Sequence, residues 1–314
     1  MRWRFALVPL TLVLAQPGLA ADGDRPAPSA DQINPERFTK KLDPAYGAFQ
    51  RGLYRTAYNL ALPLAKAGEA PAQALVAEIL SRGLGIARDE PEAAKWYGLA
   101  AEQGIPEAQF QYALILLDGR FVKKDENGAF ALMEAAAEAG NTLAQFNLAQ
   151  MLTKRDPGPA GITRALSYYE RAAVAGLADA QYAMAQIYAE GAAGKARDDT
   201  EARKWLVLAA RNGYDTAQLD LGTWLIEGRG GAKDEKAGFR LLKIAAEGGN
   251  VAAQNRVAKL YLYGLGTEPD NLFAAAWYIL ARRAGLIDPE MEDYMNGLTD
   301  EEQKTALERA NRLR

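Results

Sequence analysis

Residues 101–120 read AEQGIPEAQFQYALILLDGR, and residues 137–154 read AEAGNTLAQFNLAQMLTK. Both carry a glycine, then an Ala-Gln pair, then an alanine: Gly104, Ala108-Gln109 and Ala113 in the first, Gly140, Ala144-Gln145 and Ala149 in the second. With the glutamine as an anchor, the pattern recurs at Gln73, Gln109, Gln145, Gln181, Gln218 and Gln254, spaced 36 or 37 residues apart. Five residues before each anchor stands Gly68, Gly104, Gly140, Gly176, Gly213 or Gly249. Four after it stands Ala77, Ala113, Ala149, Ala185, Gly222 or Ala258. Ten after it the chain has Gly83, Gly119, Gly191, Gly228 and Gly264, but Arg155 in the third copy. A fixed period of this length over so many positions is the mark of a repeat architecture.

Each copy reads as two helices. Ala108, Tyr112, Ala113, Ile115 and Leu116 recur at the three- and four-residue spacing of one helical face. The following glycine ends that helix, and the Asp and Glu of the next loop suit the positive start of a second one. Small residues four after the anchor let neighbouring helices approach closely. Trp96, Leu132, Tyr168, Trp205, Leu241 and Trp277, large residues of the second helix, are expected to fill the space between them. The few large apolar side chains of one copy offset less than the entropy of ordering it, so no copy folds alone and stacking must supply the rest. In the third copy TKRDPGPAG, residues 153–161, replaces the loop glycine, and a remodelled helix end is expected there.

The ends differ from the array. Residues 52–68 read as a second helix without its partner. After Gly285 the anchor sentence stops, and Thr299 to Glu302 forms a T-x-x-E capping box opening a charged helix that would cover the last repeat. At the start, Arg2 and Arg4 precede an apolar run, residues 5–15, and small residues at Gly18 and Ala20. That is a secretory signal cut after Ala20, the apolar run being too short to span a membrane. The expected organisation is a signal peptide at 1–20, a flexible leader at 21–42, a repeat array at 43–285 and a helical cap at 286–314. The fold class is all-α, an α/α solenoid of six two-helix repeats with a C-terminal capping helix.

Composition narrows the chemistry. The chain of 314 residues has no cysteine and no histidine. Disulfides, thiolate zinc sites, cysteine nucleophiles and histidine-based triads are thereby removed. Loss of residues 1–20 takes away Arg2 and Arg4 and no acid, moving the net charge from −3 to −5. Such a chain has no electrostatic footprint for nucleic acid. An exported protein without cysteine fits a bacterial periplasm better than a disulfide-stapled ectodomain.

The glycine, Ala-Gln, alanine and glycine at these spacings, over residues 53–285, closely resemble the Sel1-like (SLR) repeat family, α/α solenoids related to tetratricopeptide repeats. The resemblance implies a non-catalytic, cofactor-free scaffold that binds other proteins. Exported relatives act in the periplasm on envelope signalling, exopolysaccharide control, cell-wall processes or host contact. A cysteine-rich branch is linked with β-lactam binding, and the absence of cysteine separates this chain from it. The expected setting is therefore the periplasm or outside of a Gram-negative cell, with a protein or peptide partner in the envelope.

In tetratricopeptide-like stacks the first helices line the concave face. By that likeness the positions two before each anchor and one, five, eight and nine after it face a partner. In the middle copies these include Phe110, Leu114, Asp118, Phe146, Gln150, Tyr182 and Gln186. Three aromatic rings with amides beside them suit an extended or helical peptide; the alternative is that the rings are inter-repeat core. A carbohydrate-binding protein would need Trp96, Trp205 and Trp277 exposed, and an enzyme would need a buried, convergent set of acids. The loop at residues 228–236 lacks the order of a phosphate cradle. Asp125-Glu126 and Asp198-Asp199 read as helix starts rather than cation ligands. The acids of residues 282–295 read as lying on an exposed terminal helix, without the burial that tunes a glycosidase pair.

Overall fold

In a computed structural model, which describes residues 44–313, all regular secondary structure is helical. The expected signal peptide and leader, residues 1–42, lie outside the described residues. Contacts divide the described residues into two compact units, meeting between Pro157 and Gly158. The division falls in the Pro-rich turn of the aberrant third copy.

The first unit contains α1 (Pro44–Gln50), α2 (Tyr54–Lys66), α3 (Ala70–Arg82), α4 (Glu90–Glu102), α5 (Pro106–Asp118), α6 (Glu126–Glu138) and α7 (Thr142–Arg155). Each helix packs on the next in sequence. α2 does have a partner, the short α1, whose Ala45 and Ala48 are buried against it; the sequence pattern gave no hint of this because α1 lacks the anchor.

The second unit contains α8 (Pro159–Val174), α9 (Ala178–Glu190), α10 (Asp199–Arg211), α11 (Asp215–Glu227), α12 (Glu235–Glu247), α13 (Val251–Tyr263), α14 (Asn271–Arg283), α15 (Pro289–Asn296) and α16 (Asp300–Arg312). From α8 to α14 each again packs on its successor, while α16 lies along α14 and α15 touches its edge. The all-α repeat class holds for both units.

Local chemistry explains the boundaries. Asp89, Asp125, Asp198, Asp234 and Asp270 are N-caps, each accepting backbone amides of the first turn of the second helix. Gly119 closes α5 at φ +72, and its counterparts do the same for α3, α9, α11 and α13. The third copy is remodelled as expected: α7 runs on to Arg155, ends at Asp156 with negative φ, and α8 opens on Pro159. Glycine is also required at Gly230, where a Cβ would lie 2.1 Å from the Asp199 carbonyl at the start of α10.

The anchor glutamine has a definite task. Gln73, Gln109, Gln145, Gln181, Gln218 and Gln254 each donate through Nε2 to the carbonyl eight residues earlier, on Ala65, Ala101, Ala137, Ala173, Ala210 and Ala246. Those carbonyls lie in the last turn of the preceding second helix, where each also accepts from the backbone amide of the closing glycine. One amide thus ties each repeat to the last turn of the helix before it. In two repeats its Oε1 also accepts from the end of the repeat's own second helix: Gln103 donates to Gln73 at 2.8 Å and Asn212 to Gln181 at 2.9 Å.

The small residues pack as expected: Ala77, Ala113, Ala149, Ala185 and Ala258 are buried. At Gly222 a Cβ would come within 2.7 Å of Leu242 Cγ. The large second-helix residue is a correction. Tyr168 and Trp277 are buried, but Trp96, Leu132, Trp205 and Leu241 are only half-buried. The deep position is the next one, with Tyr97, Met133, Tyr169, Leu206, Leu242 and Tyr278 all buried. Adjacent residues lie about 100° apart around a helix, so the seam runs on the side of the second residue, and the first lies over its edge.

Thr299 and Glu302 form both bonds of the capping box that opens α16, and Ala306 and Ala310 bury that helix against the last repeat. α15 is held by Asp288 at its N-cap and by the buried Met291.

Candidate functional site

Positions one, five and nine after an anchor are four residues apart and share one face of a first helix. In the first unit, α3 places Ala74, Glu78 and Arg82 there. Glu78 accepts from Arg82 at 3.0 Å and from the Tyr97 hydroxyl at 2.7 Å. Burial, and then the Glu78 charge, push the Tyr97 phenol well above its usual range. On α5, Phe110 is 4% exposed, Leu114 is half-buried, and Asp118 is exposed with Arg120 at 3.3 Å. On α7, Phe146 is half-buried, and Gln150, one turn further on, is 7% exposed with its Oε1 buried and unpartnered.

The second unit carries the same positions with other chemistry. On α9, Tyr182 and Gln186 are half-buried. The Tyr182 hydroxyl donates to Asp220 Oδ2 at 2.9 Å, Gln186 Nε2 reaches the same oxygen at 3.5 Å, and the Tyr182 ring packs on Tyr214 at 4.9 Å. Asp220 sits two residues after its anchor, a position the sequence reading did not assign to the site. Burial raises its pKa, against the Tyr182 hydrogen bond and the charges of Arg256 and Arg229. Burial, and then the Asp220 charge, also raise Tyr182.

On α13 the same row is Asn255, Lys259 and Tyr263, and all three meet the segment that opens α15. Asn255 Nδ2 donates to Asp288 Oδ2 at 2.8 Å. Lys259 Nζ reaches Asp288 Oδ2 and Glu290 Oε2, each at 2.7 Å, and the Tyr263 hydroxyl donates to Glu290. The reading of these acids as exposed holds for Glu290 and Asp293 and is corrected for two others: Asp288 and Glu292 are half-buried, and Glu292 is bound by the Tyr278 hydroxyl at 2.6 Å and Arg282 at 3.1 Å.

The ring positions divide between the units: Phe110 and Phe146 belong to the first, Tyr182 to the second. Phe110 is a core side chain by its burial, whereas Phe146, Tyr182, Leu114 and Gln186 keep part of their surface accessible.

The Sel1 repeat matches six consecutive segments: 70–105, 106–141, 142–177, 178–214, 216–250 and 251–286. The chain belongs to the Sel1-repeat family. Proteins of this family are generally non-catalytic and mediate protein–protein interaction. A Sel1 repeat protein from Oxalobacter formigenes is similar in fold, with a TM-score of 0.65 and 24% identity over 78% of this chain and 97% of the other. A second similar structure is c5321, a protective antigen of uropathogenic Escherichia coli with an SLR fold; its TM-score is 0.55 and its identity 25%, over 86% of this chain and 68% of the other. No curated protein matches the chain.

The other sequence motifs have structural roles in this Sel1-repeat protein. Asp125 accepts from the amides of Asn127 and Gly128, and Asp198 from those of Thr200 and Glu201, as helix starts do. In the loop at residues 228–236, Gly228 ends α11 and Asp234 caps α12. Trp277 is buried, and Trp96 and Trp205 pack against the core clusters, so no tryptophan of the three stands out as a sugar platform.

Proposed function

We propose that this Sel1-repeat protein is an adaptor of the bacterial envelope that holds a protein or peptide partner on the first-helix faces of its repeats. The observation that carries this reading is on α7. On that first-helix face the half-buried Phe146 keeps part of its ring accessible one helical turn from the Gln150 amide. A partly accessible aromatic ring with an amide beside it suits an extended or helical peptide. The envelope setting rests on the signal-like residues 1–20. A protective antigen among the similar structures is in keeping with it.

The test is affinity capture from envelope extract with the wild type and with Phe146→Ala/Gln150→Ala, alongside thermal melts. The expected result is a specific co-purifying protein lost in the variant while its melt is retained. The same proteins retained by both would reject the reading. N-terminal sequencing of the exported protein checks the location, with Ala21 the expected first residue; an intact Met1 in the cytoplasmic fraction would refute export.

A further inference from the structure

We infer that the first-helix face of α13 is a receptor for an acidic segment opening a helix, and that the chain fills it in cis with Asp288 and Glu290. The inference rests on the reading of first-helix faces as partner surfaces. It goes further by naming the ligand chemistry and an internal competitor for one of them.

The contacts are those of a bound ligand. Three side chains spaced by one helical turn, Asn255, Lys259 and Tyr263, each bind one or both of two carboxylates in a segment some thirty residues away. Asp288 divides its oxygens: Oδ1 caps α15 by accepting from the amides of Glu290 and Met291, and Oδ2 faces Asn255 and Lys259. An Asp-Pro-Glu sequence at a helix start is thus read by a lysine, an amide and a phenol. The pairing of Lys259 with Asp288 is sheltered, at 15% and 14% side-chain exposure, so it is less screened than a surface ion pair.

The surroundings distinguish this segment from a simple cap. α16 already covers α14 with Ala306 and Ala310. Ile287, immediately before Asp288, is left 74% exposed. α15 is held both by apolar packing of Met291, Met295 and Tyr294 on the core and by the charge and hydrogen-bond contacts of Asp288, Glu290 and Glu292. Only α13 of this unit offers a cation in the row: the fifth position is Gln186 on α9, Thr223 on α11 and Lys259 on α13, and the ninth is Glu190, Glu227 and Tyr263. A partner's acidic segment would have to displace the internal one, whose local concentration is high because it is tethered.

The experiment uses the full exported chain and a fluorescein-labelled synthetic peptide with the sequence of residues 286–295. Fluorescence anisotropy measures its binding to the wild type, to Asp288→Asn/Glu290→Gln, and to that variant with Lys259→Met added. Asparagine keeps the N-cap of α15. The expected result is binding at least about tenfold tighter to the double variant than to the wild type, abolished by Lys259→Met. Equal binding to wild type and double variant, or binding indifferent to Lys259, overturns the inference. If the double variant melts early, Glu290→Gln alone serves, with hydrogen exchange of residues 289–296 as a second readout. Faster exchange there with α14 and α16 unchanged supports the inference; exchange as slow as in the wild type overturns it. A negative result here with Phe146→Ala/Gln150→Ala still losing its partner removes the internal ligand and leaves the adaptor reading standing; the reverse pattern removes the adaptor reading at α7 alone.

Discussion

The first-helix faces of α7 and α13 occupy equivalent places in their repeats and have opposite states. On α7 the row is Phe146, Gln150 and Lys154, with an aromatic ring partly accessible and an amide oxygen buried without a donor. On α13 it is Asn255, Lys259 and Tyr263, and the chain's own Asp288 and Glu290 are bound across it. One scaffold position therefore carries two kinds of surface. The repeat frame, set by glycines, small residues and the anchor amide, leaves the row free to vary, and its chemistry decides what it can hold.

Substitutions on the two kinds of face have different expected effects. The largest effect is expected at Phe110, on the row of α5. Its burial makes Phe110→Ala a core deletion costing about 3–5 kcal/mol, whereas the exposed Tyr263→Ala costs less than about 1 kcal/mol. Urea unfolding of the two variants checks this. A small loss at Phe110 would show that its ring serves the surface and not the core.

Lys259→Met comes next. It strands two carboxylates, one of them sheltered, and is expected to cost about 1–3 kcal/mol in urea unfolding. A neutral effect would mean that the α13 row holds nothing.

A smaller contrast separates two glutamines of α7. Gln145 donates to the Ala137 carbonyl at 3.1 Å, so Gln145→Leu is expected to cost about 1 kcal/mol. Gln150→Leu removes an unmet acceptor and is expected to be neutral or slightly stabilising in the isolated protein. If Gln150→Leu were the more costly, the Gln150 amide would have an intramolecular role.

The smallest effect is a pH dependence. Burial works to raise the Asp288 carboxyl, but the hydrogen bonds from Lys259 and Asn255 outweigh it and hold the group below its usual value. Glu290 is lowered by Lys259 and then Tyr263. Carboxyls depressed in the folded state contribute stability above their unfolded values of about 4, and lose it as pH falls through the folded ones. Asp288→Asn/Glu290→Gln is therefore expected to flatten the acid limb of the stability profile below about pH 4. A limb of unchanged steepness would assign it elsewhere, for example to Asp199, lowered to about 2 chiefly by the Arg229 hydrogen bond.

Much of the frame was legible because it repeats. A period carried by Gln, Gly and Ala needs no knowledge of packing, and the departure at Arg155 announced the altered turn between α7 and α8. Three things were not legible. α1 carries no anchor, and only burial of Ala45 and Ala48 reveals it as a partner for α2. Trp96 and Trp205 drew attention by size, yet the deeper seam belongs to Tyr97 and Leu206, because adjacent positions differ by about 100° and sequence alone does not say which of the two faces inward. The pairing of Lys259 with Asp288 and Glu290 is a tertiary match between a repeat position and a segment beyond the array. The lysine was assigned to the partner face and the acids to an exposed helix, and nothing in either stretch pointed to the other.

The central claim is that partners are held on first-helix faces rather than on the exposed apolar residues of the second helices. Its most direct test is photocrosslinking in living cells, with benzoylphenylalanine placed at position 114 or 146 and, as the contrast within the same unit, at the exposed Leu99 of α4. The expected result is a discrete adduct with a partner protein from positions 114 and 146 and none from 99. Adducts from position 99 alone would place the interaction on the opposite helices and contradict it.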